Sequence, residues 1–500
     1  MPLVDRPTAI SNDTLSALAA GMASLPTYDR SHLRAGIVHI GVGGFHRAHL
    51  ATYINELCAQ GHMDWAIVGS GVRAGDQPMA DALLPQDCLY SLISRDPTAT
   101  TVEVIGSIVD FIHAVPDAQP LIEQIAAPST QIVSLTITEG GYPVDDETGV
   151  YLPDSPNAGP DSAFAIIAEA LNRRRAADGG PLTIMSCDNI MGNGAVTKAA
   201  TLGEVARIGD ELVEWVNASV SFPNSMVDRI TPATSETDRE WLAANYNIDD
   251  AWPVVAEPFR QWVIEDNFAG DRLPLEDLDV IVTDDVEPYE FMKLRLLNAG
   301  HSCLAYLAAL DGIELVDEAM SNPHIRRFVQ AILQHEAKPV LPAVVGIDVD
   351  EYIESLISRF SNPAIGDQIA RLCLDGTAKF PKFLLPTIRA QIAADGPMAL
   401  SALALAGWCQ YLLGETLDGQ PIELAGDPNL ELAVEYANRS RANPVKFLQM
   451  TGILGPELQA SGRFSAAFAH ALSMLRSDGT RSTIDIMMHE VDGQHEPSST

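Results

Sequence analysis

A lysine, an asparagine and a histidine recur at short intervals in Lys293-Leu294-Arg295-Leu296-Leu297-Asn298-Ala299-Gly300-His301. On a helix that turns about 100° per residue, Lys293, Asn298 and His301 fall within an arc of roughly 140° and face one cavity. Chemistry that suits this set is the removal of hydrogen from a secondary alcohol. Hydride leaves the carbinol carbon for an acceptor while a base takes the hydroxyl proton, and a lysine serves if burial or nearby positive charge lowers its pKa. Asn298 would donate to the developing alkoxide, and His301 would orient the substrate oxygen or the lysine. Gly300 costs about 1 kcal/mol relative to alanine inside a helix, which implies close approach by a ligand or another backbone. Spacing alone leaves a plainer alternative open: a lysine snorkelling at a helix end beside a satisfied core asparagine and histidine. Lysine is scarce, however. Only Lys198, Lys293, Lys338, Lys379, Lys382 and Lys446 stand among the 31 basic residues, and arginine cannot replace an amine that must lose its proton.

A hydride needs an acceptor, and a second segment offers a place for one. Gly41-Val42-Gly43-Gly44-Phe45-His46-Arg47-Ala48-His49 follows an apolar run and opens a helical pattern. That context suits a dinucleotide: a tight turn, close backbone approach to a pyrophosphate, and a helix start aimed at it. His46 occupies the position of the usual third glycine, so the strict pattern fails and an ordinary glycine-rich turn remains the alternative. Asp76 in Arg73-Ala74-Gly75-Asp76 is the candidate for the adenosine ribose hydroxyls of NAD, although it lies further along than the usual ~20 residues. Arg73 would instead favour the extra phosphate of NADP.

These residues need elements to hold them. Gly36 to Gly41 reads as a buried strand and His49 to Gln60 as the following helix. Trp65 to Val68, Val102 to Ile105, Ile132 to Ile137 and Leu182 to Met185 continue a strand series at helix-sized intervals, which implies a parallel sheet wound by helices. After Asp284-Asp285-Val286-Glu287 the pattern changes. Pro288 suits the first position of a helix, apolar periodicity runs to Leu310, and Asp311-Gly312 ends it. Ile365 to Leu374, Pro386 to Ala393 and Met398 to Leu413 are also helical in pattern. The expected fold is an α/β Rossmann-like doubly wound domain over residues 1–285, then a mostly α-helical substrate and catalytic domain over residues 286–500. The polar end, Gly493 to Thr500, is expected to be a loose tail.

Composition narrows the classes. With 500 residues, 47% of them apolar, the chain can bury two substantial cores. A net charge of −36 excludes a nucleic-acid binder, which needs a basic footprint, and is read as an acidic, soluble surface. Cys58, Cys88, Cys187, Cys303, Cys373 and Cys409 are dispersed without a CxxC pair, so neither a disulfide frame nor a metal site is expected. The first residues lack a basic region followed by an apolar run and no apolar stretch reaches about 18 residues, so neither a signal peptide nor a membrane span is expected. A cytoplasmic, monomeric protein without a membrane partner is expected.

The sequence resembles the long-chain mannitol dehydrogenase family, also called polyol-specific long-chain dehydrogenases, from about Ala35 to Arg476. The resemblance rests on Ile37 to His49, Ser134 to Tyr142 (SLTITEGGY), Ser186 to Asn189 (SCDN), Ser225 to Pro232 (SMVDRITP), Glu257 to Phe268 (EPFRQWVIEDNF), the Lys293 segment, and Asp375 to Phe383 (DGTAKFPKF). It implies metal-independent, reversible oxidation of a polyol to a ketose with NAD, D-mannitol to D-fructose in the first place. It implies Lys293 as general base, Asn189 and Asn298 as stabilisers of the alkoxide, and His301 as the residue that positions the substrate. Asp228, Arg371 and Lys379 match positions that hold polyol hydroxyls. Glu290 matches a glutamate that gates proton exchange, against the plainer reading of an i,i+3 partner for Lys293. Where relatives have two acids after the second strand, this chain has Gly75-Asp76, so NAD is favoured by Asp76 with NADP as the second choice.

A different branch of the same family reduces sugar uronates such as fructuronate or tagaturonate. That branch often has a lysine where Gly140 stands, and no unassigned cation lies near these motifs, so the polyol branch is preferred. From another class, a non-catalytic nucleotide sensor with this fold is opposed by the intact Lys293, Asn298 and His301.

Overall fold

A strand that is apolar on both faces belongs in a sheet covered on both sides. In the computed structural model Ala35–Ile40 forms such a strand, β1, buried from Gly36 onward. The structure describes residues 7–18, 21–145, 148–424, 426–427 and 429–495. The chain divides into two compact units, Met1–Glu287 and Pro288–Thr500.

In the first unit β1 leads through α1 (Gly44–Ala48) and α2 (Leu50–Ala59) to β2 (Ala66–Gly71). β3 (Ile108–His113), β4 (Ile132–Leu135), α3 (Ala163–Ala176), β5 (Leu182–Ser186) and β6 (Val220–Ser221) follow. The sheet order is β3-β2-β1-β4-β5-β6, and every neighbouring pair is parallel. This is the doubly wound order in which the succession of strands switches sides between β1 and β4. Successive strand residues face opposite layers. Ile37, Ile67, Ile132 and Met185 pack with Ala51, Ile54 and Leu57 of α2. Val38, Ile40, Val133, Leu135 and Ile184 pack with Phe164, Ile167 and Leu171 of α3. Ser162 caps α3 through its side chain, and Arg173, Arg174 and Arg175 occupy its last turn, matching both ends of the helix dipole.

One expected strand leaves the series. Thr100–Ile105, which contains Val102 to Ile105, pairs antiparallel with Tyr90–Arg95 in a separate small sheet, and β3 takes its place in the parallel sheet. The reason lies in Thr101-Val102-Glu103-Val104, whose alternation suits a sheet with unlike faces, not one buried on both. A third sheet joins Ser225–Asp228, Gln261–Glu265 and Ile281–Thr283.

The second unit begins with α4 (Glu287–Lys293). It runs through a π-helical turn, Leu294–Asn298, into α5 (Ala299–Leu310). Gly312, at φ +70°, ends the run. α6 (Ile369–Cys373), α7 (Gly376–Phe383), α8 (Ala399–Tyr411) and α9 (Gly462–His495, two helical stretches joined at a kink at Gly479) follow, with Leu385–Ala393 a further helix. α8 is buried from Leu400 to Tyr411 and packs against both α5 and α9, the place for a helix that is apolar all round. The segment Ile365 to Leu374 is helical only over α6, because Gln368 bridges Leu315 and Ile369 N–H donates to Glu314 O at 2.9 Å. Gly493 to His495 continue α9 instead of starting a loose tail, while residues 496–500 of that expected tail lie outside the described residues. Among the described residues no helix is long and apolar enough to cross a membrane.

Candidate active site

The glycine loop after β1 sits where the sheet changes direction. Gly41 adopts φ +93°, and a Cβ there would stand 2.2 Å from Thr136 O, just past β4. Thr136 Oγ1 donates to Gly41 O at 2.7 Å, so the turn is clasped against the β4 end and only glycine fits. Gly43 differs. A Cβ on it would meet nothing nearer than Gly41 O at 3.9 Å, so its outer face is open to close approach by a pyrophosphate. Phe45 is half-buried against His49, with ring centroids 5.0 Å apart. His49 in turn donates from Nε2 to Gln261 O at 2.8 Å.

The side chains of His46 and Arg47 turn inward. The His46 ring stacks on His39 of β1 at 3.4 Å, filling the space that a third glycine would leave for helix–strand packing. His39 is held by Ser134 Oγ at 2.8 Å and Thr136 Oγ1 at 2.9 Å. Burial pushes His39 down to about 3 and His46 well below the usual imidazole value, so both rings are neutral. Arg47 donates to Trp252 O and lies over the Tyr90 ring at 5.2 Å, while Tyr90 Oη donates to Arg47 O at 2.6 Å. What these two residues can offer a phosphate is main chain.

Asp76 folds back toward the sheet. Its Oδ2 accepts from Arg73 N–H at 2.9 Å, and a Cβ on Gly71, the last residue of β2, would fall 2.4 Å from the Asp76 Cβ. This fold-back explains how an acid late in the sequence still stands at the strand end, and Gly71 is what leaves it room. Arg73 is exposed. A cavity of about 350 Å³ opens beside it, lined by Val72, Arg73, Ile137, Gly141 and the 156–163 loop. It lies past the ends of β2 and β4, flanking the glycine turn.

On the other side of the switch point, three of the sequence blocks converge. Asp188, almost fully buried, accepts from Ile137 N–H at 3.0 Å, Thr138 N–H at 2.9 Å and Tyr142 Oη at 2.7 Å. Asn193 Nδ2 donates to Asp188 O at 3.1 Å and Ser225 O at 2.7 Å. These bonds hold Thr138 at φ +66°, a conformation that β-branched residues avoid. They also leave Asn189 exposed in the loop after β5. Asp188 was missed from the sequence, although its place in SCDN beside Asn189 was the available signal. Asp228 ends its strand buried, near enough that its charge acts on His49.

In the second unit, Lys293 is buried at the end of α4 with Glu290 buried one turn earlier. The π turn between Lys293 and Asn298 changes the geometry expected for a regular helix. Widening the turn to i→i+5 lowers the advance to roughly 80° per residue, so five residues place Asn298 within about 50° of Lys293, not 140°. Three further residues of ordinary helix return His301 close to the Lys293 direction. All three therefore share a narrower face than even spacing predicts, and π turns of this kind gather at functional sites. Asn298 Oδ1 is a buried atom without a hydrogen-bond partner among the described residues, an acceptor left for a ligand. The His301 ring stacks on Phe360 at 4.1 Å. Gly300 serves that contact: its Cβ would lie 3.2 Å from Phe360 Cε2, so its close protein neighbour is a ring and not another backbone.

Arg371, on α6, donates to Asp367 from Nε at 2.8 Å and Nη2 at 2.6 Å. Lys379 on α7 donates from Nζ to Leu372 O at 3.2 Å, at the carbonyl end of α6. Burial pushes the Asp367 carboxyl up, but the Arg371 bonds and charge, with the His301 ring, outweigh it and hold the group below the usual carboxylate value. His301, Asp367 and Arg371 thus form one electrostatic group within this unit, with Lys379 bonded to the main chain at the end of α6.

Comparison with known proteins agrees with both units. Residues 35–277 match the Mannitol dehydrogenase Rossmann domain and residues 285–476 the Mannitol dehydrogenase C-terminal domain. Mannitol 2-dehydrogenase from Cereibacter sphaeroides is 44% identical over 473 residues, covering 92% of this chain and 97% of that protein. Among solved structures, the Pseudomonas fluorescens mannitol 2-dehydrogenase ternary complex with NAD and D-mannitol is similar with TM-score 0.88 and 42% identity, covering 97% of this chain and all of that one. A D-sorbitol dehydrogenase in substrate-free form is similar with TM-score 0.85 and 34% identity, covering 95% of this chain and all of that one. The chain belongs to the mannitol dehydrogenase family and is an oxidoreductase.

Proposed function

We propose that this enzyme oxidises a secondary alcohol of a polyol to a ketose, D-mannitol to D-fructose in the first place, reversibly and without a metal. NAD, when bound, would accept the hydride. The residues present fit that cofactor: the open face of Gly43 leaves room for its pyrophosphate, and the Asp76 carboxylate stands at the β2 end for ribose hydroxyls. The same carboxylate would repel the 2′-phosphate of NADP, so NAD is preferred.

Lys293 takes the hydroxyl proton as general base. Asn298 donates its amide to the developing alkoxide, a role the family resemblance also gives to Asn189. His301, its ring fixed against Phe360, orients the substrate oxygen. Asp228, Arg371 and Lys379 hold the remaining hydroxyls, and Glu290 passes the proton on from Lys293. The observation that carries this reading is a buried lysine on the same π-widened helical run as Asn298 and His301.

The test is initial-rate assay of the purified protein on mannitol, sorbitol, arabinitol and fructuronate with NAD(H) and NADP(H), with and without EDTA. Turnover on mannitol with NAD, indifferent to EDTA, is expected. Turnover on fructuronate alone, or none on any polyol, would overturn the proposal.

A further inference from the structure

The site as assigned so far names the group that meets a substrate hydroxyl, Arg371, but not what aims it. Arg371 is nearly half exposed, with 45% of its side chain accessible, whereas the carboxylate partner is only 6% accessible. A long, exposed guanidinium is a poor hydrogen-bond donor to a small ligand unless something removes its rotamer freedom. Asp367 does so in a two-point fork, with Nε and Nη2 each on a separate carboxylate oxygen. Arg371 Nη1 has no acceptor among the described residues.

Asp367 is itself fixed from behind. Its carbonyl accepts from Val316 N–H at 2.9 Å, and the next residue, Gln368, bridges Leu315. Neither of these two bonds uses the carboxylate, which the Gln368 N–H also favours in its charged form. The charge of the His301 ring also acts on this carboxylate, so the fork lies within electrostatic range of that residue.

We propose that Asp367 is the positioning residue of the substrate site: it locks Nε and Nη2 of Arg371 so that Nη1 is presented to a polyol hydroxyl. The inference rests on the polyol reading above and extends it to a residue that touches no reacting atom. An ion pair that served only to hold α6 in place would affect folding, not the affinity for substrate.

The test is a double-mutant cycle in the full-length enzyme, with Asp367→Asn, Arg371→Ala and the pair, read as KM for mannitol, KM for NAD and kcat. Asp367→Asn should raise the mannitol KM roughly tenfold with kcat within about threefold and the NAD KM unchanged, because the lost contact is made equally in ground and transition states. The double variant should be no worse than Arg371→Ala alone. An unshifted mannitol KM in Asp367→Asn, or effects that multiply in the double variant, would overturn the inference. Should Asp367→Asn fail to fold, Asp367→Glu decides the point: a raised mannitol KM with unchanged NAD KM supports it, and an unchanged mannitol KM contradicts it. Absence of turnover in the unaltered enzyme would count against the functional reading instead, so the two failures are distinguishable.

Discussion

The glycine loop after β1 and the helical run through Lys293 solve opposite problems. The loop is proposed to meet its ligand with main chain, so its side chains are free to serve the protein: His46 stacks on His39 and Arg47 reaches Trp252 and Tyr90. The lysine run is proposed to present side chains, and there it is the backbone that departs from the regular form, widening by a π turn between Lys293 and Asn298. Where the backbone binds, side-chain identity is a guide to packing; where side chains act, backbone irregularity is a guide to function.

This contrast can be broken most severely at Gly41. Gly41→Ala would drive a methyl into Thr136 O from a positive φ, and should cost about 4 kcal/mol in denaturant melts and abolish NADH binding. Gly43→Ala, at an open face, should keep the fold and lose only NADH affinity, seen in fluorescence titration. Equal melting of both variants with equal loss of binding would mean that the two glycines do not divide the work.

The next effect is on pH dependence. Burial pushes His39 and His49 down to about 3 and His46 well below normal, whereas the unfolded rings titrate near 6.5. Between those values the unfolded chain binds protons that the folded one does not, so stability is full above about 6.5 and falls as pH drops. The limit is about 1.4 kcal/mol per pH unit for each histidine. In the second unit, Asp367 is a carboxylate held below its usual value, and its contribution is present above about 3.8 and lost only below it. Hydrogen exchange corrected for intrinsic rates should show core peptides of β1 losing protection between pH 7 and 5 while those around α6 hold theirs. Parallel loss in both would contradict the assignment.

The smallest expected effect is at Asp76. Asp76→Ala should reduce the ratio of kcat/KM for NAD over NADP by about tenfold, since one carboxylate both binds the ribose and repels a phosphate. An unchanged ratio would remove Asp76 from the cofactor site.

Much of this was legible in the sequence because it is local. The buried run Gly36 to Ile40 and the glycines after it specify a strand and a turn, and Asp311-Gly312 specifies a helix end. The misplaced strand at Thr100–Ile105 shows the limit: its period-two pattern was visible, but which sheet accepts it depends on a partner, Tyr90–Arg95, that apolarity alone does not single out. The π turn was hidden for another reason. A helix with one wider turn has the same residues in the same order, and only tertiary packing selects it. Asp188 and Asp367 were passed over because a positioning carboxylate is defined by what it grips, Thr138 and Tyr142 in one case and Arg371 in the other, and that grip exists only in the fold.

The central claim is that the Lys293 amine takes the carbinol proton. It is tested most directly by the rate of hydride transfer from mannitol to NAD in Lys293→Ala, measured in single turnover beside the NADH dissociation constant. The account predicts a fall of about a thousandfold with NADH affinity within twofold. A variant that transfers hydride at close to the original rate would contradict it.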